Sequence, residues 1–363
     1  MRDKAQGLES LLADFGRRDN PHVPDAALRD AMQRCVDNGL DQLPFPGSGS
    51  TLARWQRLAA VAGIDLPLLK LYEGHTDALA ILHELGFDAP GFTQPGFKQS
   101  GLQGAVDATF AKPGMWGVWA AEPPDARVIV SQRQGDQVRL DGRKAWCSGA
   151  QLLDYALLTA WASDDTSHLV AVDLRQQNVR FASQHWQAVG MAGTASVDVH
   201  FDGAVGVCVG DSGAYLSRPG FWQGGGGIAA AWYGAAVALA NVLRRHRQGG
   251  RPEPHAEAHL GAVDAALSGA RASLRECAGW IDAHPQEDAS LPVQRLRAQV
   301  EMATEQVCRH VGRALGATPF CRDPHFARLA ADLPVFIRQS HAERDLAHLG
   351  QRVAASATEE WSL

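Results

Sequence analysis

No CxxC pair occurs in this 363-residue chain; its six cysteines (Cys35, Cys147, Cys208, Cys277, Cys308 and Cys321) stand far apart. That scatter excludes a zinc ribbon and argues against a disulfide framework. The expectation is free thiols in a reducing compartment, a cytoplasmic protein and no metal site. A concentrated basic face is missing too, since 34 Lys and Arg are interspersed with 40 Asp and Glu for a formal charge of -6. Phosphate-backbone binding needs such a face, so nucleic acid is not an expected partner. The local exception is Arg244, Arg245, His246 and Arg247. The opening MRDKAQGLESLLADF lacks the apolar centre of a signal peptide, and no run approaches membrane-spanning length, so no membrane partner is expected.

What is present fits a globular protein of two or three domains, with 45% hydrophobic and 20% charged residues. The apolar period changes twice. Up to about residue 90 it is helical: Leu8, Leu11, Leu12 and Phe15 share a face, and Pro24 opens a helix that stops at Asn38-Gly39. Ser50 and Asp65 are placed to cap two more helices, the second ending at Gly86. From Gly114 short β-rich runs alternate with Gly, Asp, Pro and Ser, as in WGVWAAE, ARVIVSQ, YALLTAWA and HLVAVDL. Gly135-Asp136 fits a hairpin turn, and Asp141-Gly142 reads as another turn. With no helical pattern between them, these runs predict an antiparallel barrel rather than a Rossmann sheet.

After Phe221 the helical period returns. Gly224 to Gly227 lead into IAAAWYGAAVALANVLRRH, and a flexible hinge is preferred there to a phosphate cradle because no GKS/T follows. Further helices are expected over about 257–283, up to Gly316, and over about 323–352 with an interruption near Pro334, which together make a four-helix bundle. The predicted fold class is α+β multidomain: an N-terminal helical domain (1–110), a middle antiparallel β-barrel domain (111–215) and a C-terminal four-helix bundle (216–363).

Within this order GRKAWCSGA (142–150) resembles the G-x-K-x-W-I-T/S-N-A stretch of the acyl-CoA dehydrogenase family of flavoproteins, and WAAEPP (119–124) looks like that family's Y-x-x-T-E-P strand. RALGATPFCRDPHFARLAADL (313–333) is similar to the family's loop and Arg-Asp segment, with Asp332 at the Asp. The resemblance implies FAD, held by Trp119, Ala121, Trp146 and Ser148 at the ring. Arg245, Arg313 and Gly316 would lie toward the ADP half across a subunit boundary, hence a homodimer or homotetramer. It further implies a small acyl substrate, such as a CoA thioester, oxidised at its CH–CH group. Glu122 corresponds to a structural glutamate.

The departures are chemical. Ala121 stands where the family has a hydroxyl, Arg313 replaces a Gln, and Ser340 occupies the place of the catalytic Glu. A serine hydroxyl alone is too weak a base. His341, with an ordinary pKa near 6.5, and Glu343 are the nearest candidates, although QSHAERDLAHLG also reads as a solvated amphipathic helix. Three readings follow. The first is an acyl-CoA dehydrogenase-like enzyme, and the second a monooxygenase using reduced flavin on the same fold. The third is a scaffold or binding subunit that has lost catalysis.

Overall fold

The computed structural model describes residues 2–16, 25–87, 110, 113–182, 186–355 and 361. Pro24 and the expected domain boundary after residue 110 fall at positions outside the described residues. Eleven α-helices and seven strands are seen among them.

The first four helices are α1 (Arg2–Gly16), α2 (Asp25–Asp37), α3 (Thr51–Ala62) and α4 (Leu66–Glu84). Asp65 caps α4 as its position foretold, accepting from Leu68 N at 2.8 Å. Ser50 makes no side-chain cap on α3. Asp282 does that work instead, taking Thr51 N at 3.1 Å and Thr51 Oγ1 at 2.6 Å.

Strands β1 (Trp116–Trp119), β2 (Val128–Gln134), β3 (Gln137–Cys147), β4 (Tyr155–Trp161), β5 (Ser167–Asp173), β6 (Val179–Phe181) and β7 (Val197–Cys208) form one sheet. Its order is β1-β4-β2-β3-β7-β5, and β5 also pairs with β4, which closes a five-stranded barrel. β4 is buried on both faces over most of its length, which explains its unbroken apolar run. Gly135 and Asp136 do turn the chain from β2 to β3. Asp141-Gly142 does not turn it. β3 runs straight through, with a bulge at Leu140/Asp141 and Gly142 at φ 118°, where a Cβ would overlap the Arg127 carbonyl oxygen.

The remaining helices are α5 (Ala214–Ser217), α6 (Gly220–Arg247), α7 (Pro254–Ala283), α8 (Ser290–Leu315), α9 (Thr318–Arg322), α10 (Pro324–Phe336) and α11 (Glu343–Ala355). Gly224 to Gly227 lie inside α6, so they are neither hinge nor phosphate cradle. Small residues are needed there because α6 meets α3 almost backbone to backbone. A Cβ at Gly234 would overlap the Ala59 carbonyl oxygen, and one at Gly226 the Trp55 ring. α6 is also long and apolar enough to span a bilayer by composition, contrary to the expectation from the sequence. Its apolar window is 67% buried within the protein, as in a core helix.

The expected layout is therefore corrected on two points. The barrel is mixed rather than antiparallel, because β1 and β2 both run parallel to β4. The helical and β parts do not each have a core of their own: one apolar cluster runs from Leu8 through Trp119 and Leu140 to Leu239 and Ile337. The last bundle helix is interrupted just after Pro334, as expected. Pro334 cannot donate a backbone N–H, the chain tightens into a 3-10 turn at Ile337–Gln339, and α11 starts afresh at Glu343 with no buried residue.

Candidate functional site

One surface is the wall formed by the ends of β1 and β3. Trp119 is buried and donates from Nε1 to the Ser148 carbonyl at 3.2 Å. Beyond it WAAEPP is fixed by Glu122, which accepts from the buried Lys144 Nζ at 2.5 Å and Trp161 Nε1 at 3.1 Å. Lys144 also donates to Thr159 O at 3.0 Å. Burial holds its pKa below the usual lysine value, and the Glu122 carboxylate works against that. Glu122 thus anchors the loop. Ala121 is half-buried beside it.

Trp146 sits where β3 leaves register with β7, between Lys144 and Cys147. Its φ is 57°, a left-handed conformation that a bulky residue rarely adopts, and its side chain is 57% exposed. Strain and exposure at one tryptophan mark a site rather than a core position. Two residues on, Ser148 Oγ accepts from Ser196 Oγ at 3.1 Å, and Ser196 is 2.8 Å from Thr194 Oγ1. Thr194 Oγ1 in turn donates to Met191 O at 2.7 Å, so the three hydroxyls form one chain that ends at Ser148. Gly149 donates to Thr194 O at 2.8 Å.

Asp332 on α10 reaches this wall from behind. Its Oδ1 takes the Met191 N–H at 2.6 Å and so fixes the turn that carries Thr194 and Ser196. Burial raises the Asp332 pKa to about 6, against the opposing effect of the Met191 hydrogen bond. An exposed flat indole, with a hydroxyl at the end of a hydroxyl chain beside it, fits the edge of a planar heterocycle such as a flavin ring.

The second surface is a cavity of about 570 Å³ between α4, α6, α8 and α11. Ser340, His341 and Asp345 line it; Glu343 does not and is exposed. Ser340 is buried, donates to Glu301 Oε2 at 2.5 Å and accepts from Ala342 N at 3.0 Å. His341 is exposed, with Nδ1 3.4 Å from Asp345 Oδ1, and its backbone N–H donates to Asp345 Oδ2 at 3.0 Å. Asp345 therefore sits against the Nδ1 edge of the imidazole, and Nε2 has no hydrogen-bond partner among the described residues.

The sequence reading missed Glu73, Asp77 and Glu301, the other cavity carboxylates. All three sit on helices where charge at helical spacing looks like an ordinary solvated face. Each carboxylate already has a cation: Lys70 at 2.8 Å from Glu73, Arg54 at 4.0 Å from Asp77, and Arg338 at 2.9 Å from Glu301.

Wall and cavity are joined by α4 rather than merged. Gly74 lines a cleft of about 10 Å³ with Trp119 and Ser148, while Glu73 and Asp77 face the cavity. Trp119, Ala121, Trp146 and Ser148 are not cavity residues. Arg245 near the end of α6, and Arg313 and Gly316 at the end of α8, are all exposed, and Gly316 has φ 64°. They stand apart from both surfaces.

No family model and no curated protein matches the sequence. The fold is nonetheless that of known structures. A Paenibacillus sp. A11-2 dibenzothiophene monooxygenase, solved with FMN and indole, is 18% identical with a TM-score of 0.76, covering 97% of either chain. The methanesulfinate monooxygenase of Pseudomonas fluorescens is 19% identical with a TM-score of 0.74 and 96% coverage of each chain. A nitrososynthase from Micromonospora carbonacea var. africana is 15% identical with a TM-score of 0.75, over 97% of this chain and 95% of that one. These likenesses define an acyl-CoA dehydrogenase-like fold.

Proposed function

We propose that the protein is a flavin-dependent oxygenating enzyme that takes reduced flavin and dioxygen to a small, largely apolar substrate. The observation that carries this reading is the pairing of a kept ring wall at Trp146 and Ser148 with a Ser340 locked to Glu301 where a dehydrogenase needs a free carboxylate. Glu343 does not replace that carboxylate, being outside the cavity. Two of the similar solved structures are monooxygenases, and this favours oxygenation over acyl-CoA dehydrogenation.

In this reading Trp146 supports the flat face of the ring and the Ser148 hydroxyl donates to its edge, while Trp119 fixes the Ser148 backbone. The flavin, when bound, supplies the two electrons by which one oxygen atom goes to substrate and the other to water. His341, oriented by Asp345, holds or moves the substrate proton at Nε2. FMN is favoured over FAD because FMN is what the dibenzothiophene monooxygenase structure contains. Arg245, Arg313 and Gly316 are then assigned to the phosphate end of a flavin on a neighbouring copy, in a homodimer or homotetramer.

The test is oxygen consumption. Substrate-dependent product formation with reduced FMN and dioxygen, and none with acyl-CoA thioesters plus an artificial electron acceptor, is the expected result. Turnover of acyl-CoA without oxygen would overturn the reading.

A further inference from the structure

Arg297 differs from most of the charges around the cavity. Of the lining carboxylates, Glu73, Asp77 and Glu301 are matched by Lys70, Arg54 and Arg338, Asp345 sits beside the His341 ring, and the lining Arg218 is matched by Glu84 at 2.8 Å. Arg297 has no carboxylate within ion-pair distance among the described residues. Its bonds go to backbone carbonyls, Gly225 O at 3.0 Å and Gln339 O at 3.1 Å. One face of its guanidinium lies over Trp232, 4.7 Å from the ring centre. A guanidinium carries five N–H donors, so three are left after those two bonds. Burial holds its pKa below the usual guanidinium value, the more distant Asp345 and Glu301 opposing. Arg344, exposed on α11 at the same cavity, likewise has no carboxylate within ion-pair distance among the described residues.

The rest of the lining is of another kind. Phe221, Trp222, Ile228, Leu346 and Leu349 give apolar walls. A cavity with apolar walls and one unmatched cation fixed in place selects for an apolar body that ends in an anion. A planar, bidentate acceptor such as a carboxylate suits the guanidinium best. The wrong partner is rejected by the same arrangement, because a cationic substrate would face Arg297 and a neutral one would leave it unmatched.

We propose that Arg297, assisted by Arg344, is the specificity-determining anion clamp of this cavity, and that the substrate is an aromatic or similarly apolar molecule bearing a carboxylate. The proposal rests on the cavity being the substrate site of the oxygenating enzyme put forward above. It assigns Arg297 a second task, since its two carbonyl bonds already tie α6 to the turn before Ser340.

Three probes of one shape separate the possibilities: naphthalene-2-carboxylate, naphthalene-2-methanol and naphthalen-2-ylmethylamine, each titrated calorimetrically into the full-length protein. The expected order is the carboxylate at least tenfold tighter than the alcohol, with the amine weakest. Arg344→Gln, at an exposed position, should cut the carboxylate-to-alcohol ratio severalfold, and Arg297→Gln should abolish it. Circular dichroism checks that the latter variant is folded. If it is not, the wild-type order and Arg344→Gln decide. An alcohol or amine that binds as tightly as the carboxylate, or no saturable binding of any probe, would overturn the proposal. Flavin uptake is measured on the same preparation without probe. Failure to take up flavin with the carboxylate preference intact contradicts the oxygenase reading alone, and the converse contradicts the clamp alone.

Discussion

Ser340 donates its hydroxyl proton to Glu301 at 2.5 Å, and His341, the next residue, is held by Asp345 four residues on. The two neighbours are thus wired in opposite ways. Ser340 is spent on structure, and His341 keeps Nε2 without a hydrogen-bond partner among the described residues.

That contrast predicts different outcomes for adjacent substitutions. His341→Ala should lower kcat of oxygenation by roughly 10²- to 10⁴-fold, the range that a positioned acid–base group supplies. Ser340→Ala should instead cost about 1–3 kcal/mol of stability, because the Glu301 carboxylate and the Ala342 N–H both lose a partner. Glu343→Gln should change neither. Steady-state kinetics and urea melts on the three variants check this.

Trp146 predicts a separation of binding from folding. Its indole is mostly exposed, so Trp146→Ala should shift stability by no more than about 0.5 kcal/mol. Flavin affinity should fall by about tenfold or more in the same variant, since a stacked aromatic pair is worth about 0.5–1.5 kcal/mol beyond its buried area. Flavin fluorescence quenching and thermal melts read the two effects independently.

Asp332 predicts a pH dependence of stability. Its folded pKa is about 6, above the roughly 3.9 of an unfolded aspartate. Between these values the folded state binds more protons than the unfolded one, so the contribution to stability falls as pH rises through that window. The loss from this group is on the order of 3 kcal/mol between pH 4 and pH 7. Asp332→Asn, which keeps an oxygen for the Met191 N–H, should remove that fall. Urea melts from pH 4 to pH 8 on both proteins test it.

Gly234 predicts the cost of separating α3 from α6. A Cβ there would overlap backbone rather than a movable side chain, so Gly234→Ala should destabilise by about 1–3 kcal/mol despite its higher helix propensity. Gly261, on the open face of α7, is the control: Gly261→Ala should be neutral or slightly stabilising.

These glycines also show where reading the sequence ran out. Periodicity located α3, α4 and the long helices, and the Gly135-Asp136 turn, because those features depend on neighbours in sequence. Gly224 to Gly227 looked like a hinge because Trp55, which packs on Gly226 and Gly227, is far away in the chain. The parallel pairing of β1 and β2 with β4 was hidden for the same reason: an apolar strand buried on both faces carries no mark of its partner's direction. In the candidate site, Trp146 and Ser148 were legible as a motif, whereas the Glu301 contact to Ser340 spans 39 residues and left no local signal. Arg297 was likewise invisible, since an unmatched arginine is defined only by what surrounds it.

The central claim is that the Trp146–Ser148 wall seats a flavin. Anaerobic calorimetric titration of reduced FMN into wild type, Trp146→Ala and Ser148→Ala tests it most directly. The account predicts saturable uptake of one flavin per chain, weakened in both variants. Wild-type protein that takes up neither FMN nor FAD in either redox state, or variants that bind as tightly as wild type, would contradict it.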